Sequence, residues 1–192
     1  NILKGHSGAI LSLAFRSDGK QLASIDYNCN LHVWDVRSGA KIESHQMCSA
    51  GPNKILFSPD GTSLAYTTVD KGHTIHLVDT RTQSQQIFLA DSSEFVFSPD
   101  GVLLAFEKDK KLRLWDLQAR QELFALSSDN FAEIGAIAFS RDGKIVAAGS
   151  GWFGLVLWDV KTGQKLRVVD TTGGISTLAF SPDGTLLAIG HA

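Results

Sequence analysis

Phe57-Ser58-Pro59-Asp60-Gly61 recurs as Phe97-Ser98-Pro99-Asp100-Gly101 and again as Phe180-Ser181-Pro182-Asp183-Gly184. Looser copies stand at Phe15-Arg16-Ser17-Asp18-Gly19 and Phe139-Ser140-Arg141-Asp142-Gly143. The leading phenylalanines Phe15, Phe57, Phe97, Phe139 and Phe180 fall 42, 40, 42 and 41 residues apart, which marks a repeat architecture. Proline presets φ near about −65° at the first corner of a turn, and glycine takes the positive φ that closes a hairpin. A hairpin therefore sits at the heart of every unit.

Reading outward from the turn, a short apolar strand precedes it, as in Ile10-Leu11-Ser12-Leu13-Ala14-Phe15 and Ile175-Ser176-Thr177-Leu178-Ala179-Phe180. Leu22-Ala23, Leu64-Ala65, Leu104-Ala105, Val146-Ala147 and Leu187-Ala188 open a second strand behind it. A third strand alternates with period two through Leu31/Val33, Ile75/Leu77, Leu112/Leu114 and Leu155/Leu157. It ends in Trp34-Asp35, Val78-Asp79, Trp115-Asp116 or Trp158-Asp159. Turns such as Arg37-Ser38-Gly39 and Lys161-Thr162-Gly163 lead into a fourth, more polar strand, typified by Gln164-Lys165-Leu166-Arg167, whose charges suit an outer edge that must not pair with other chains.

Four short strands per repeat with no helical periodicity predict an all-β chain, a β-propeller of four-stranded antiparallel blades. Helical solenoids of similar period are excluded by the strict alternation and by the Asp-Gly hairpins. The expected units are residues 5–46, 47–89, 90–126, 127–169 and 170–192 of a single propeller domain spanning 1–192. Ile2-Leu3-Lys4 reads as the outer strand of a preceding blade, and the fifth unit stops after its second strand. The expectation is a fragment with an incomplete ring, about four full blades plus partial ones, completed by missing repeats of the same parent chain.

At these residues the sequence resembles the WD-repeat family, whose signature is Gly-His near the start of a repeat and Trp-Asp near its end; Gly5-His6 with Trp34-Asp35 supplies the full pair. The resemblance extends over essentially the whole chain. It implies a structural hydrogen-bond network of histidine, a Ser/Thr of the second strand, a turn aspartate and the tryptophan. His6, Ser24 and Trp34 match it, and Asn28 stands at the position read as that of the aspartate; Asn28 can accept a hydrogen bond without supplying charge. The second repeat lacks the histidine and tryptophan, the third keeps Asp109 and Trp115, and the fourth has Trp158 but Ala148 and Trp152 at the Ser and Asp positions. These lapses also admit a resemblance to degenerate propellers such as those like TolB, which favour Phe-Ser-Pro-Asp-Gly too.

The 192 residues carry 18 Lys+Arg against 20 Asp+Glu, a formal charge of −2, so no basic excess draws phosphate backbones or an anionic membrane surface. The partner is expected to be a protein or peptide, with no nucleic acid and no membrane. Cys29 and Cys48 are too few for a disulfide framework and read as free thiols of a reducing, cytoplasmic compartment; a single bridge stays open because both fall in loops.

No phosphate loop, Gly-x-Ser-x-Gly or His-Glu-x-x-His is present, so the chain is expected to be non-catalytic and to need no cofactor. His73 and His76 lie three apart on a strand and point to opposite faces, which disfavours a shared metal. Asp26, Asp70, Asp109 and Asp129 fall in loops of one expected rim, where local hydrogen bonding is the simpler reading than a cation site. Lys108-Asp109-Lys110-Lys111 reads as a solvated turn.

Two readings of function follow. One is a protein- or peptide-binding scaffold, as the WD resemblance implies; the other is a propeller domain gating or accessory to a catalytic domain of a larger enzyme. The candidate partner-binding rim is Tyr27, Met47, Phe131, Trp152 and Phe153, because large aromatic and thioether side chains are enriched at interface centres, and Trp152-Phe153 flanked by glycines departs from ordinary turn chemistry.

Overall fold

A computed structural model of the protein describes residues 2–46, 54–69, 72–127, 133–150 and 154–191. Met47, Cys48, Asp70, Asp129, Phe131, Trp152 and Phe153 lie outside them. The chain divides into two compact units, Asn1–Ser93 and Glu94–Ala192.

The first unit holds two four-stranded antiparallel sheets. One is built from β1 (Ile10–Phe15), β2 (Gln21–Asp26), β3 (Asn30–Asp35) and β4 (Lys41–Gln46), the other from β5 (Ile55–Phe57), β6 (Ser63–Thr68), β7 (His73–Asp79) and β8 (Gln85–Ala90), each in sequence order. The second unit repeats the pattern with β9 (Phe95–Phe97), β10 (Leu103–Lys108), β11 (Lys111–Asp116) and β12 (Gln121–Leu126), then β13 (Ile134–Phe139), β14 (Ile145–Ser150), β15 (Leu155–Asp159) and β16 (Lys165–Val169). A two-stranded sheet, β17 (Ile175–Phe180) with β18 (Leu187–His191), follows. These are the blades that the repeat foretold. The described residues hold no helix long and apolar enough to cross a membrane.

The Asp-Gly turn works through a residue that the motif reading passed over. Ser58, Ser98, Ser140 and Ser181 each donate Oγ–H to the turn aspartate two residues on, at 2.6, 2.5, 2.7 and 2.5 Å. The same oxygen accepts the amide five residues on, at 2.9, 2.8, 3.0 and 2.9 Å. The hydroxyl thus locks both strands of the hairpin, and the first turn, with Arg16 there instead, lacks the clasp. The glycines that follow, Gly61, Gly101, Gly143 and Gly184, take φ of 70 to 74°, which L-residues with a Cβ adopt only at a cost.

Core packing joins neighbouring sheets within each unit. In the first, Ala14, Ala23, Ile25, Leu31 and Val33 meet Ile55, Leu64 and Tyr66. In the second, Leu103, Leu112 and Leu114 meet Ile137, Phe139, Val146 and Trp158, while Ala136, Ala147 and Leu155 close on Ile175. Pairing of the third with the fourth strand shifts register between Val33 and Trp34, Leu114 and Trp115, and Leu157 and Trp158, whereas Val78 pairs regularly with Gln85. A bulge re-aims a side chain, and it occurs here where the strand carries tryptophan and not where it carries Val78.

Two expectations are corrected. Cys29 takes part in a disulfide rather than being a free thiol; it is buried, at φ 62°, in the β2–β3 turn. Asp26 is no loop acid on an open rim: it ends β2 and is fully buried. Asp109 and Lys110 do form a solvated two-residue turn, both at positive φ, with Asp109 paired to Arg113 at 2.8 Å.

Candidate functional site

The first sheet gathers the most polar chemistry of the chain. β2 presents Ser24 and Asp26 on one face by its period of two, and β3 lays Trp34 and His32 beside them in antiparallel register. The segment leading into β1 brings His6 over this face. His6 Nδ1 lies 2.9 Å from Asp26 Oδ2, His6 Nε2 lies 2.6 Å from Ser24 Oγ, and Trp34 Nε1 donates to the same Oγ at 2.7 Å. The carboxylate only accepts, so the imidazole proton sits on Nδ1. Nε2 then accepts the Ser24 hydroxyl proton, and the Ser24 oxygen accepts the indole N–H. Every polar atom in the relay is satisfied.

Carboxylate, imidazole and hydroxyl stand in the order of a hydrolytic triad. A nucleophile must reach substrate, however, and Ser24 is 2% exposed, with its oxygen engaged by Trp34. The arrangement works as a strut joining the entry segment to the second and third strands.

The acid of this set is Asp26 and not Asn28, a correction of two positions. Asp26 Oδ1 accepts from Asn30 N at 2.9 Å, Oδ2 from Ser7 N and Gly8 N at 3.3 Å, and both take Asn30 Nδ2. The β2–β3 turn thus starts at the last residue of the strand, and Asn28 is carried past the imidazole to bond Ser7 Oγ at 3.2 Å. Burial alone would raise the Asp26 pKa, yet the hydrogen bonds from Asn30, His6 and Gly8 outweigh it and hold the group well below the usual carboxylate range.

His32 does more than fill a position of β3. Its ring lies 4.2 Å from that of His6 and edge-on to Trp34 at 5.4 Å. Nε2 lies 3.2 Å from the Gly5 carbonyl oxygen, and Nδ1 lies 3.0 Å from the Leu31 carbonyl oxygen and 3.1 Å from Ser44 Oγ, which ties the outer strand β4 into the strut. Its register beside Ser24 was the available signal. In the second blade His76 stacks on Tyr66 at 4.7 Å and meets Gln85 and Thr68. Among the described residues no group of three or more His, Cys, Asp or Glu is placed to hold a metal.

Of the expected partner-binding rim, Tyr27 is described: it caps the β2–β3 turn and is 67% exposed. Met47, Phe131, Trp152 and Phe153 lie outside the described residues. A feature not foreseen is a groove of about 270 Å³ between the first two sheets. Leu31, Val33, Phe57, Leu64 and Val78 give it apolar surface, while Arg16, Glu43, His45 and Gln85 are among its polar lining.

The family model WD40, described as "WD domain, G-beta repeat", matches residues 1–35, 121–159 and 163–192, together more than half of the chain. The unmatched stretch between includes the repeat that lacks both histidine and tryptophan. WD repeat-containing protein 36 of Homo sapiens is 39% identical over 66 residues, which is 34% of this chain and 7% of that protein. Guanine nucleotide-binding protein subunit beta-5b of Danio rerio is 28% identical over 96% of this chain and 49% of its own length. Transcription initiation factor TFIID subunit 5 of Caenorhabditis elegans is 22% identical over 97% of this chain and 29% of its own. The chain therefore spans about half the length of these relatives or less.

Proposed function

This chain belongs to the WD40 repeat family, and we propose that it serves as a non-catalytic scaffold that binds a protein or peptide. The observation that carries the reading is the fate of Ser24: the hydroxyl–imidazole–carboxylate array is sealed beneath Trp34 and holds a blade together. The surface that the blades offer to solvent includes loops and strand edges, Tyr27 among them. A net charge of −2 favours a protein over a polyanion as the partner.

Two measurements test this. Cross-linked partners of the chain, purified and recombined with it, are expected to form a complex of fixed stoichiometry by light scattering, weakened by Tyr27→Ala. A fluorophosphonate probe is expected to leave Ser24 unlabelled. Labelling abolished by Ser24→Ala, with no protein partner recovered, overturns the scaffold reading.

A further inference from the structure

The outer strands of the four complete blades differ in one respect. β4 carries Lys41 and Glu43, β12 carries Glu122, and β16 carries Lys165 and Arg167. β8, Gln85–Ala90, carries no charge, and the uncharged run extends back through Thr82. Among the described residues β8 ends its sheet, hydrogen-bonded to β7 on one side. Charge on an edge strand is the usual guard against pairing with another chain, and here it is absent.

The side chains on that edge point the same way. Ile87 and Leu89 are 60% and 63% exposed, and by period two they share the face of Gln85, which lines the groove between the first two sheets. That groove, at about 270 Å³, lies below the roughly 300–1,000 Å³ of a small-molecule pocket. It suits a side chain better than a whole ligand.

Resting on the scaffold reading above, we propose that β8 is a docking edge where an extended, uncharged segment of a partner protein adds a fifth strand. Main-chain hydrogen bonds to β8 supply the pairing, and alternate apolar side chains of the segment cover Ile87 and Leu89 and reach toward the groove. The absence of charge along β8 selects the occupant: a charged strand laid there would bring unpaired charges against an apolar face.

The probe is a capped seven-residue peptide of alternating valine and threonine, added to the full chain. Hydrogen exchange is expected to slow at Gln85–Ala90 and not in β4, β12 or β16. The same peptide with alternate backbone amides methylated, unable to pair, is expected to give no protection. Leu89→Lys is expected to weaken probe binding by about tenfold or more, and Ile87→Lys likewise, whereas Ile42→Lys on β4 leaves it unchanged. Leu89→Gln, which adds no charge, should lose less, and circular dichroism checks that each variant is folded. Equal protection of the other outer strands, undiminished binding to Leu89→Lys, or a β8-dependent dimer of the chain itself overturns the proposal. A purified partner that binds Leu89→Lys as well as the unaltered chain also overturns it, while leaving the scaffold reading intact.

Discussion

Trp34 ties chemistry to packing at a single residue. Its ring is buried against the first sheet and its indole N–H completes the Ser24–His6–Asp26 relay. Trp34→Phe removes part of the packing and leaves the Ser24 oxygen short of a donor, so it is expected to cost about 1–3 kcal/mol, read as a lowered denaturant midpoint. Asp26 contributes differently, through charge. Its folded pKa lies below the unfolded value of about 3.9, so its stabilisation is complete above that pH and fades as pH falls toward the folded pKa. Asp26→Asn is therefore expected to be less stable than the unaltered chain near neutrality, with the deficit shrinking in acid. Chemical denaturation at a series of pH values checks this, and a deficit that stays constant into strong acid would contradict it.

At the scale of strands and turns, small residues mark where sheets approach. Gly149 on β14 faces the next sheet so closely that an added Cβ would lie 2.5 Å from Ile175 Cγ2. Gly149→Ala is expected to cost about 1–3 kcal/mol by overpacking and to speed hydrogen exchange in β17, with β1–β4 unaffected. Blades, turns and strand order were legible because Asp-Gly hairpins and period-two alternation are local signals. The acid of the strut was not, since whether the turn begins at Asp26 or two residues later depends on backbone N–H bonds from Asn30, Ser7 and Gly8 to the Asp26 carboxylate that spacing does not encode. Ser58 and Ser98 were passed over for a related reason: a serine beside Pro-Asp-Gly reads as turn filler until its hydroxyl is seen to join strands five residues apart. The groove arises from two sheets meeting, which no single repeat spells out.

Taken over the whole molecule, equal repeat positions meet unequal surroundings. Ile137 and Phe139 on β13 are 8% and 9% exposed, within a core cluster of the second unit. Leu13 and Phe15 occupy the same positions of β1 and are 58% and 63% exposed. Two large apolar side chains at period two make an exposed apolar stripe, the kind of surface that associates or takes up hydrophobic dyes. With a formal charge of only −2, little net repulsion opposes association. The 192-residue chain is therefore expected to show β-type circular dichroism, to enhance the fluorescence of an anilinonaphthalene dye, and to associate as concentration rises. Leu13→Ser combined with Phe15→Ser should suppress both dye binding and association without loss of β structure, because neither residue is in the buried core. Leu89→Lys should leave dye uptake at the β1 stripe largely intact, which separates this face from the β8 edge. A chain that stays monomeric and dye-silent at high concentration would show that the β1 stripe is covered in solution.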